Sequence, residues 1–412
     1  MTNTSPANLP APRPPTDEAQ ARAAALHALG LRPAPAAPPG PVGALTDRVL
    51  VHANLDTDRS TLMPLLADVD GLVLSGKKAC KAVRELRRGR YQGLLLADPE
   101  GYASAAATAE EPFVLPAGDG LFGASLSEVL QGQRDAGVTA VMTPTAYFRA
   151  GEIGPLKAAA EIVAALDGDD VLFSVPIDVA WLSNEHIDSL VAVLKRLAVP
   201  KVVLLGGQFD PLKRYKPAVA NLRRLVAEAG HVAVFRTDLT AFDVLSHGAF
   251  AASIGTGGSL RHVVPIGQFA RSSGKKPDYS PSVLHPELMS FHKGSLLAER
   301  FGNTQPPQTC PCPACGGRGL DSFTDKADRG AAHAHGFHIW TPWIAEMHQC
   351  RVLAERAQWW KRRCADAVAH CDIVNALIEQ EGAFNAPNTL KAWSELPAWW
   401  APAPSTSRSH TP

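Results

Sequence analysis

Val171-Leu-Phe-Ser-Val175, Lys201-Val-Val-Leu-Leu205, His231-Val-Ala-Val-Phe-Arg236 and Phe250-Ala-Ala-Ser-Ile254 are short, mostly apolar runs without strict alternation. A strand that is apolar at successive positions is buried on both faces, which is the signature of a parallel sheet covered by helices. Working outward, four more runs of the same kind precede them: Arg48–Ala53, Gly71–Ser75, Gly93–Ala97 and Ala140–Thr143. Stretches of helical period follow most of these runs, at Ala79–Arg88, Ser127–Asp135, Leu156–Leu166, His186–Leu197 and Val219–Ala229. Eight such units favour an α/β TIM (β/α)8 barrel over an open doubly wound sheet. No GxGxxG opens a helix after the first strand, which counts against a Rossmann-like alternative.

Composition sets the frame. The 412 residues carry 40 Lys+Arg against 40 Asp+Glu, with 46% hydrophobic and 19% charged residues. That balance excludes a disordered or collagen-like chain. No run of about 18 apolar residues suggests a membrane span. The first thirty residues lack a basic patch followed by an apolar stretch, so a cytoplasmic protein is expected. Zero net charge requires any nucleic-acid contact to come from local basic patches. The expected organisation is a mostly disordered Ala/Pro-rich arm over 1–45 with one helix at Asp17 to Leu29, a barrel over 46–300, a zinc-binding helical subdomain over 301–400 and a disordered tail over 401–412.

In a barrel, functional groups gather just beyond the carboxyl ends of the strands. The segments there are polar: Asp98-Pro-Glu-Gly-Tyr102, Ile177-Asp178, Gly206-Gly207-Gln208, Thr237-Asp238 and Gly255-Thr-Gly257-Gly-Ser259. Any one aspartate could simply cap the helix that follows; Asp98, Asp178 and Asp238 together at one rim are read as catalytic candidates. The glycines around Gly257 would let backbone N–H groups approach a phosphate, with Arg261 and His262 adding charge. A plain connecting loop is the alternative. Two basic stretches, Lys77–Arg90 and Lys361–Arg363, could meet phosphates or could be solvated helix faces.

Six of the seven cysteines follow Asn303, and Cys310-Pro-Cys312-Pro-Ala-Cys315 packs three of them into one turn. In a reducing compartment C-x-C-x-x-C reads as a metal site before it reads as disulfides. A tetrahedral Zn2+ needs a fourth ligand, and a site closed by four protein ligands is structural. His333, His335, His338, His348 and Cys350 are the candidates. His348 is preferred because the stretch from Trp343 to Lys361 has helical period and would hold the imidazole rigidly.

This cluster, placed after a barrel and before a helix-borne histidine, resembles the zinc subdomain of tRNA-guanine transglycosylases. Several other segments resemble the same family. Leu96-Ala-Asp98-Pro-Glu-Gly-Tyr102 is similar to its Asp-Ser-Gly-Gly-Phe/Tyr loop, and Leu126 to Met142 is similar to the helix and strand leading to its base-recognition loop. Leu205-Gly-Gly207 resembles its base-contacting glycine pair, and Gly248 through His262 its last strand and the loop beyond. The resemblance runs from about Gly93 to Arg363. It implies exchange of guanine in a polynucleotide, tRNA or DNA, for a 7-deazaguanine-type base without a redox cofactor. It also implies Asp98 as proton carrier, Asp178 or Asp238 serving the sugar carbon, and Tyr102, Gly206, Gly207, Gln208, Gly257 and Arg261 binding substrate. In the family's histidine spacing, His338 is the alternative to His348. Two departures stand out: Ser253 and Thr145 occupy positions where the family carries aspartates. They motivate a second reading, a non-catalytic nucleic-acid-binding subunit that partners an active homologue. A third is a phosphate-binding barrel enzyme acting on a nucleotide or sugar phosphate. Self-association is left open.

Overall fold

A computed structural model describes residues 16–117, 123–269, 278–303 and 309–400. The fold is a TIM barrel. Its strands are β1 Arg48–Ala53, β2 Gly71–Ser75, β3 Leu94–Asp98, β4 Val141–Met142, β5 Val171–Asp178, β6 Lys201–Gly206, β7 Val232–Thr237 and β8 Ala251–Gly255. They pair in parallel in the order β3-β2-β1-β8-β7-β6-β5-β4. Pairing of β1 with β8, with Leu50 opposite Ser253, excludes an open Rossmann-like order. The remaining seam, between β3 and β4, is bridged by Thr139. Its N–H donates to the Leu95 carbonyl at 2.7 Å, and its hydroxyl accepts from the Leu95 N–H at 3.0 Å.

Alternation along the strands separates two cores, as strand geometry requires. Leu50, Val73, Leu96, Leu172, Leu204 and Phe235 fill the barrel interior. Their neighbours Val49, Val51, Leu72, Leu95, Val203 and Val234 face the helical layer. That layer comprises α2 Leu55–Leu62, α3 Ala79–Arg88, α4 Leu126–Arg134, α5 Ile153–Ala164, α6 Ile187–Leu194, α7 Ala218–Glu228 and α8 Thr240–Ser246. It follows α1, Asp17–Gly30. At the amino end of the barrel, Lys201 is buried and donates to the carbonyls of Leu197 and Ala229, each at 2.9 Å, and of Gly230 at 3.3 Å. One ammonium thereby satisfies orphan carbonyls beyond α6 and α7. Burial pushes its pKa down to about 8.

After β8 the chain forms an antiparallel hairpin, β9 Ser282–His285 and β10 Ser290–Lys293, then α9 Gly294–Phe301, α10 Arg329–His348, α11 Leu353–Leu377 and α12 Asn388–Glu395. The outer helices continue the barrel's hydrophobic core, where Trp360 stacks on Phe242 with centroids 5.3 Å apart.

The tail expected over 401–412 and the first fifteen residues of the arm lie outside the described residues. From Thr16 onward the arm is structured. The Thr16 hydroxyl caps α1, and Val42 and Leu45 are fully buried. The helix expected at Asp17 to Leu29 forms as α1, while Val42 and Leu45, expected to be disordered, instead close the bottom of the barrel. No helix of the described residues is long and apolar enough to cross a membrane.

Candidate active site and metal centre

The end of β3 delivers Asp98 into the carboxyl mouth of the barrel, where it has no exposed surface. Its Oδ2 accepts from the Tyr102 hydroxyl at 2.6 Å and lies 3.5 Å from His52 Nε2 and 3.9 Å from an Arg236 nitrogen. Its Oδ1 accepts from the Glu100 N–H at 3.0 Å. Burial alone would raise its pKa, but His52, Arg236 and Tyr102 outweigh it and hold the carboxyl below its usual range. Asp98 is therefore ionised.

His52, on β1, is oriented from its other side. Its Nδ1 is 3.2 Å from the hydroxyl of Ser253 on β8, and that oxygen accepts from the Arg236 N–H at 2.9 Å. The serine proton is thus free to point at Nδ1, which leaves Nε2–H facing Asp98. Burial lowers the imidazole pKa, with Asp98 pulling the other way, so the ring is neutral.

Arg236 closes the arrangement. One guanidinium nitrogen donates to Glu100 at 2.5 Å and to the Tyr102 oxygen at 2.9 Å. The others reach the carbonyls of His262 at 3.0 Å and Ser259 at 3.1 Å. Both Arg236 (φ 56°) and Glu100 (φ 52°) have left-handed backbones, which non-glycine residues adopt at a cost. Side-chain exposure falls from Glu100 at 22% through Arg236 at 11% to Asp98 at 1%. The ion pair thus forms the outer layer of the centre and the aspartate its floor.

The other two predicted carboxylates are separate from this centre. Asp178 accepts from the Tyr147 hydroxyl and from the Ala180 N–H, both at 2.9 Å, and so caps the turn after β5. Asp238 uses Oδ1 for the Thr240 N–H at 2.9 Å and hydroxyl at 2.7 Å, capping α8. Among the described residues, Asp238 Oδ2 has no hydrogen-bond partner. No hydrogen bond or ion pair joins Asp98, Asp178 and Asp238. Thr145 is buried and bonded to the Thr143 hydroxyl at 2.8 Å.

Four of the predicted substrate contacts have internal employment. Gly206 admits Tyr147: a Cβ there would lie 2.1 Å from its hydroxyl oxygen. The Gly207 N–H donates to the Val263 carbonyl at 2.9 Å, and the Gln208 amide donates to Gln268 at 3.2 Å and the Phe269 carbonyl at 3.0 Å. Arg261 is half-buried, its guanidinium over the Phe291 ring 3.3 Å from the centroid, and it donates to Gly255, Thr256 and Ser282. It pins the loop after β8 to the β9–β10 hairpin. Gly257 borders open space. Two cations of the Lys361–Arg363 patch are likewise engaged internally, while Arg362 is exposed: Lys361 caps carbonyls of Glu395 and Leu396, and Arg363 stacks on Trp343.

Sequence reasoning missed His52, Glu100, Arg236 and Asp210. The first and third carried a signal, each being a polar residue near the end of a mostly apolar strand run. Asp210, after β6, is pushed up to about 6 by burial and then by the nearby charge of Asp238. Both its oxygens accept from the Thr389 hydroxyl.

The cysteine cluster does assemble, but with a different histidine. Cys310, Cys312, Cys315 and His335 offer ligand atoms that all lie within 4.8 Å of one another, a group able to hold a metal ion such as zinc. His335 Nδ1 is 3.4, 3.5 and 3.3 Å from the three sulfurs in turn. Tetrahedral zinc with ordinary Zn–S and Zn–N bonds places sulfur and nitrogen about 3.5 Å apart. The N–H groups of Cys315 and Gly316 donate to the Cys312 carbonyl, and Gly316 and Gly317 supply the left-handed turn after the third thiol that returns the chain to Cys310. Gly294 lets α9 abut this module, since a Cβ would meet the Phe323 carbonyl oxygen at 1.7 Å.

His348 is not the fourth ligand. It lies thirteen positions further along α10, about 20 Å by helix rise, and its Nε2 sits 3.4 Å from Asp47. His333 faces a small cavity beside Arg261 and Phe291, and His338 packs edge-on against Phe337.

No family model and no curated protein matches the chain. Among solved structures, an HpcH/HpaI aldolase from Desulfitobacterium hafniense DCB-2 is similar over 51% of this chain and 87% of its own, at 10% identity and a TM-score of 0.30. A likeness at that level carries no argument about chemistry.

Proposed function

We propose that this barrel is an enzyme acting at the N-glycosidic bond of a nucleotide within a polynucleotide, exchanging guanine for a 7-deazaguanine-type base. The observation that carries the reading is Asp98, held ionised at the mouth of the barrel beside a phenol and a guanidinium. Glycosidic exchange needs a group that takes and returns a proton and a carboxylate that supports an oxocarbenium-like sugar carbon. Asp98 fits the first role. For the second, Asp238 is the better of the two rim candidates, because its Oδ2 is unbonded whereas Asp178 has both oxygens engaged. The target nucleotide would be flipped out of its stack to reach the mouth. It would have to displace the Arg236–Glu100 pair to reach Asp98.

Cys310, Cys312, Cys315 and His335 would hold zinc, closing its coordination and fixing α10 against the β9–β10 hairpin. Four protein ligands leave no open position, so the ion's contribution is structural.

The test is incorporation of a labelled 7-deazaguanine base into tRNA and into duplex DNA. Exchange abolished by Asp98→Ala and Asp238→Ala supports the reading; no exchange on either substrate overturns it. One observation favours a second reading, a non-catalytic partner subunit. Ser253 stands at the family's nucleophile position, where a hydroxyl replaces a carboxylate, and it is bonded between His52 and the Arg236 N–H. A tight complex with an active transglycosylase, without turnover by this chain alone, would choose it.

A further inference from the structure

We propose that the outer face of α3 is a docking surface for the phosphate backbone of a polynucleotide. For its partner the inference rests on the polynucleotide reading above; for its place it rests on the charge pattern of one helix. The segment Lys77–Arg90 carries seven cations and one acid in fourteen residues, although the whole chain is formally neutral. Arg87 alone turns inward, donating to the carbonyls of Gly137, Tyr91 and Gly93. Lys78 pairs with Asp56 at 3.3 Å, and the one acid, Glu85, is taken by Arg59 of α2. That leaves Lys77, Lys81, Arg84, Arg88 and Arg90, all exposed and without an ion pair among the described residues.

Helix geometry lines these charges up. Lys81, Arg84 and Arg88 recur at i, i+3 and i+7, which puts them on one stripe. The stripe lies opposite Ala79, Ala82, Val83 and Leu86, which face the core. Lys81 and Arg88 are about 10 Å apart along the axis, a spread that no single small anion covers. Like charges at these spacings destabilise a helix, and a polyanion running along the stripe removes the repulsion. Arg90 extends the row past the helix end. It holds the left-handed backbone (φ 63°) that glycine usually takes there, while the adjoining Gly89 does not.

What the face lacks selects the partner. Val83 and Leu86, the large aliphatic side chains of the segment, are buried. An interfacial helix inserts such side chains into a bilayer, and a protein partner uses them as anchors. Unpaired cations alone suit a polynucleotide backbone, whose charges repeat along one line and release counterions when neutralised. The place fits as well. The helix after β2 begins at the carboxyl rim of the barrel, and a Cβ at Gly76 would lie 3.7 Å from Glu100 Oε2. Glu100 belongs to the outer layer of the candidate active centre. A strand with one nucleotide at the mouth therefore passes Lys77 first and follows α3 down the outside of the barrel.

The experiment is a fluorescence-anisotropy titration of labelled single-stranded and duplex oligonucleotides with the full chain, repeated across salt concentrations. The wild type should bind with little preference for base sequence. A triple variant, Lys81→Gln with Arg84→Gln and Arg88→Gln, should bind about 10²-fold more weakly at about 0.1 M salt. Its slope of log affinity against log salt should be shallower by about 2 to 3. A control removes the same charge elsewhere on the barrel exterior: Lys157→Gln with Lys195→Gln and Arg196→Gln, at exposed positions on α5 and after α6. It should bind as the wild type does, and both variants should keep the wild-type thermal midpoint. Equal losses in the two variants, or an α3 variant that binds like the wild type, would overturn the surface and leave base exchange standing. Tighter binding of the wild type to phosphatidylserine vesicles than to any oligonucleotide would overturn the choice of partner. No binding of the wild type to any oligonucleotide would overturn this proposal and the polynucleotide reading together.

Discussion

His335 Nε2 donates to the Leu284 carbonyl oxygen at 2.7 Å, and that bond decides which imidazole nitrogen meets the thiols. A carbonyl can only accept, so Nε2 carries the proton and Nδ1 presents its lone pair to Cys310, Cys312 and Cys315. Ligand histidines are commonly fixed in this way by a second hydrogen bond.

The first prediction follows directly. Purified wild type and His348→Ala should both carry stoichiometric zinc by elemental analysis, while His335→Ala and Cys312→Ser should lose it. Retention of zinc by His335→Ala would refute the assignment.

His348→Ala should instead expose the pairing with Asp47. Burial would raise the Asp47 pKa, but His348 and Arg356 override it and hold it down at about 2. A carboxylate depressed in the folded state adds stability above its ordinary pKa and loses it as pH falls toward the folded value. Thermal midpoints of the wild type should therefore drop between about pH 4 and 2, and less steeply in Asp47→Asn.

Asp210 works in the opposite sense. Its folded pKa is raised to about 6, so its protonated form is favoured in the native state. The stability it adds is full below about pH 4 and is lost as pH rises through about 6. Asp210→Asn, which still accepts from Thr389, should be more stable than wild type at pH 7 by up to about 3 kcal/mol. It should also show a flatter midpoint across that window. A lower midpoint at neutral pH would contradict the sign.

Asp98→Asn keeps the shape of the centre but removes its charge from between His52 and Arg236. Under the proposed reaction, exchange should fall by about 10²–10⁴, the range for loss of a positioned acid–base group. Arg236→Ala should be the more damaging for stability, because it strips Glu100, Tyr102 and two carbonyls of a partner. A cost of about 3–5 kcal/mol is expected by denaturant titration.

Lys201→Met tests the base of the barrel. It leaves the Leu197, Ala229 and Gly230 carbonyls without their shared donor in a buried site. The expected loss is about 2–4 kcal/mol, read from the urea midpoint.

The barrel was legible because burial on both faces leaves runs such as Lys201-Val-Val-Leu-Leu205 with little room for ambiguity, and α3 follows its amphipathic stretch residue for residue. Short elements with mixed patterns, α2 and the β9–β10 hairpin, gave no comparable signal. Three thiols in one turn announced a metal site. The fourth ligand did not announce itself, because α10 carries His333, His335, His338 and His348, and only the seating of that helix on the hairpin selects among them. At the barrel mouth, attention to residues after the strands found Asp98 but passed over His52 and Arg236, which lie inside strands. Asp178 and Asp238 look alike in sequence; only their hydrogen bonds distinguish a carboxylate with both oxygens engaged from one with an oxygen to spare.

The Arg356 guanidinium grips Asp47 at 2.6 Å and the Pro33 carbonyl at 2.9 Å, joining residues 309 positions apart in the first of these contacts. The Leu353 N–H likewise donates to the Arg32 carbonyl, and the Trp399 indole to that of Leu26. During synthesis the segment entering the first strand therefore emerges from the ribosome long before the groups that clasp it. Contacts of such sequence separation form late and slowly. A nascent chain halted ahead of Arg356 would expose an unfastened flank before the first strand to chaperones and proteases, and that flank would lock only once the helix bearing Leu353 and Arg356 had emerged and folded.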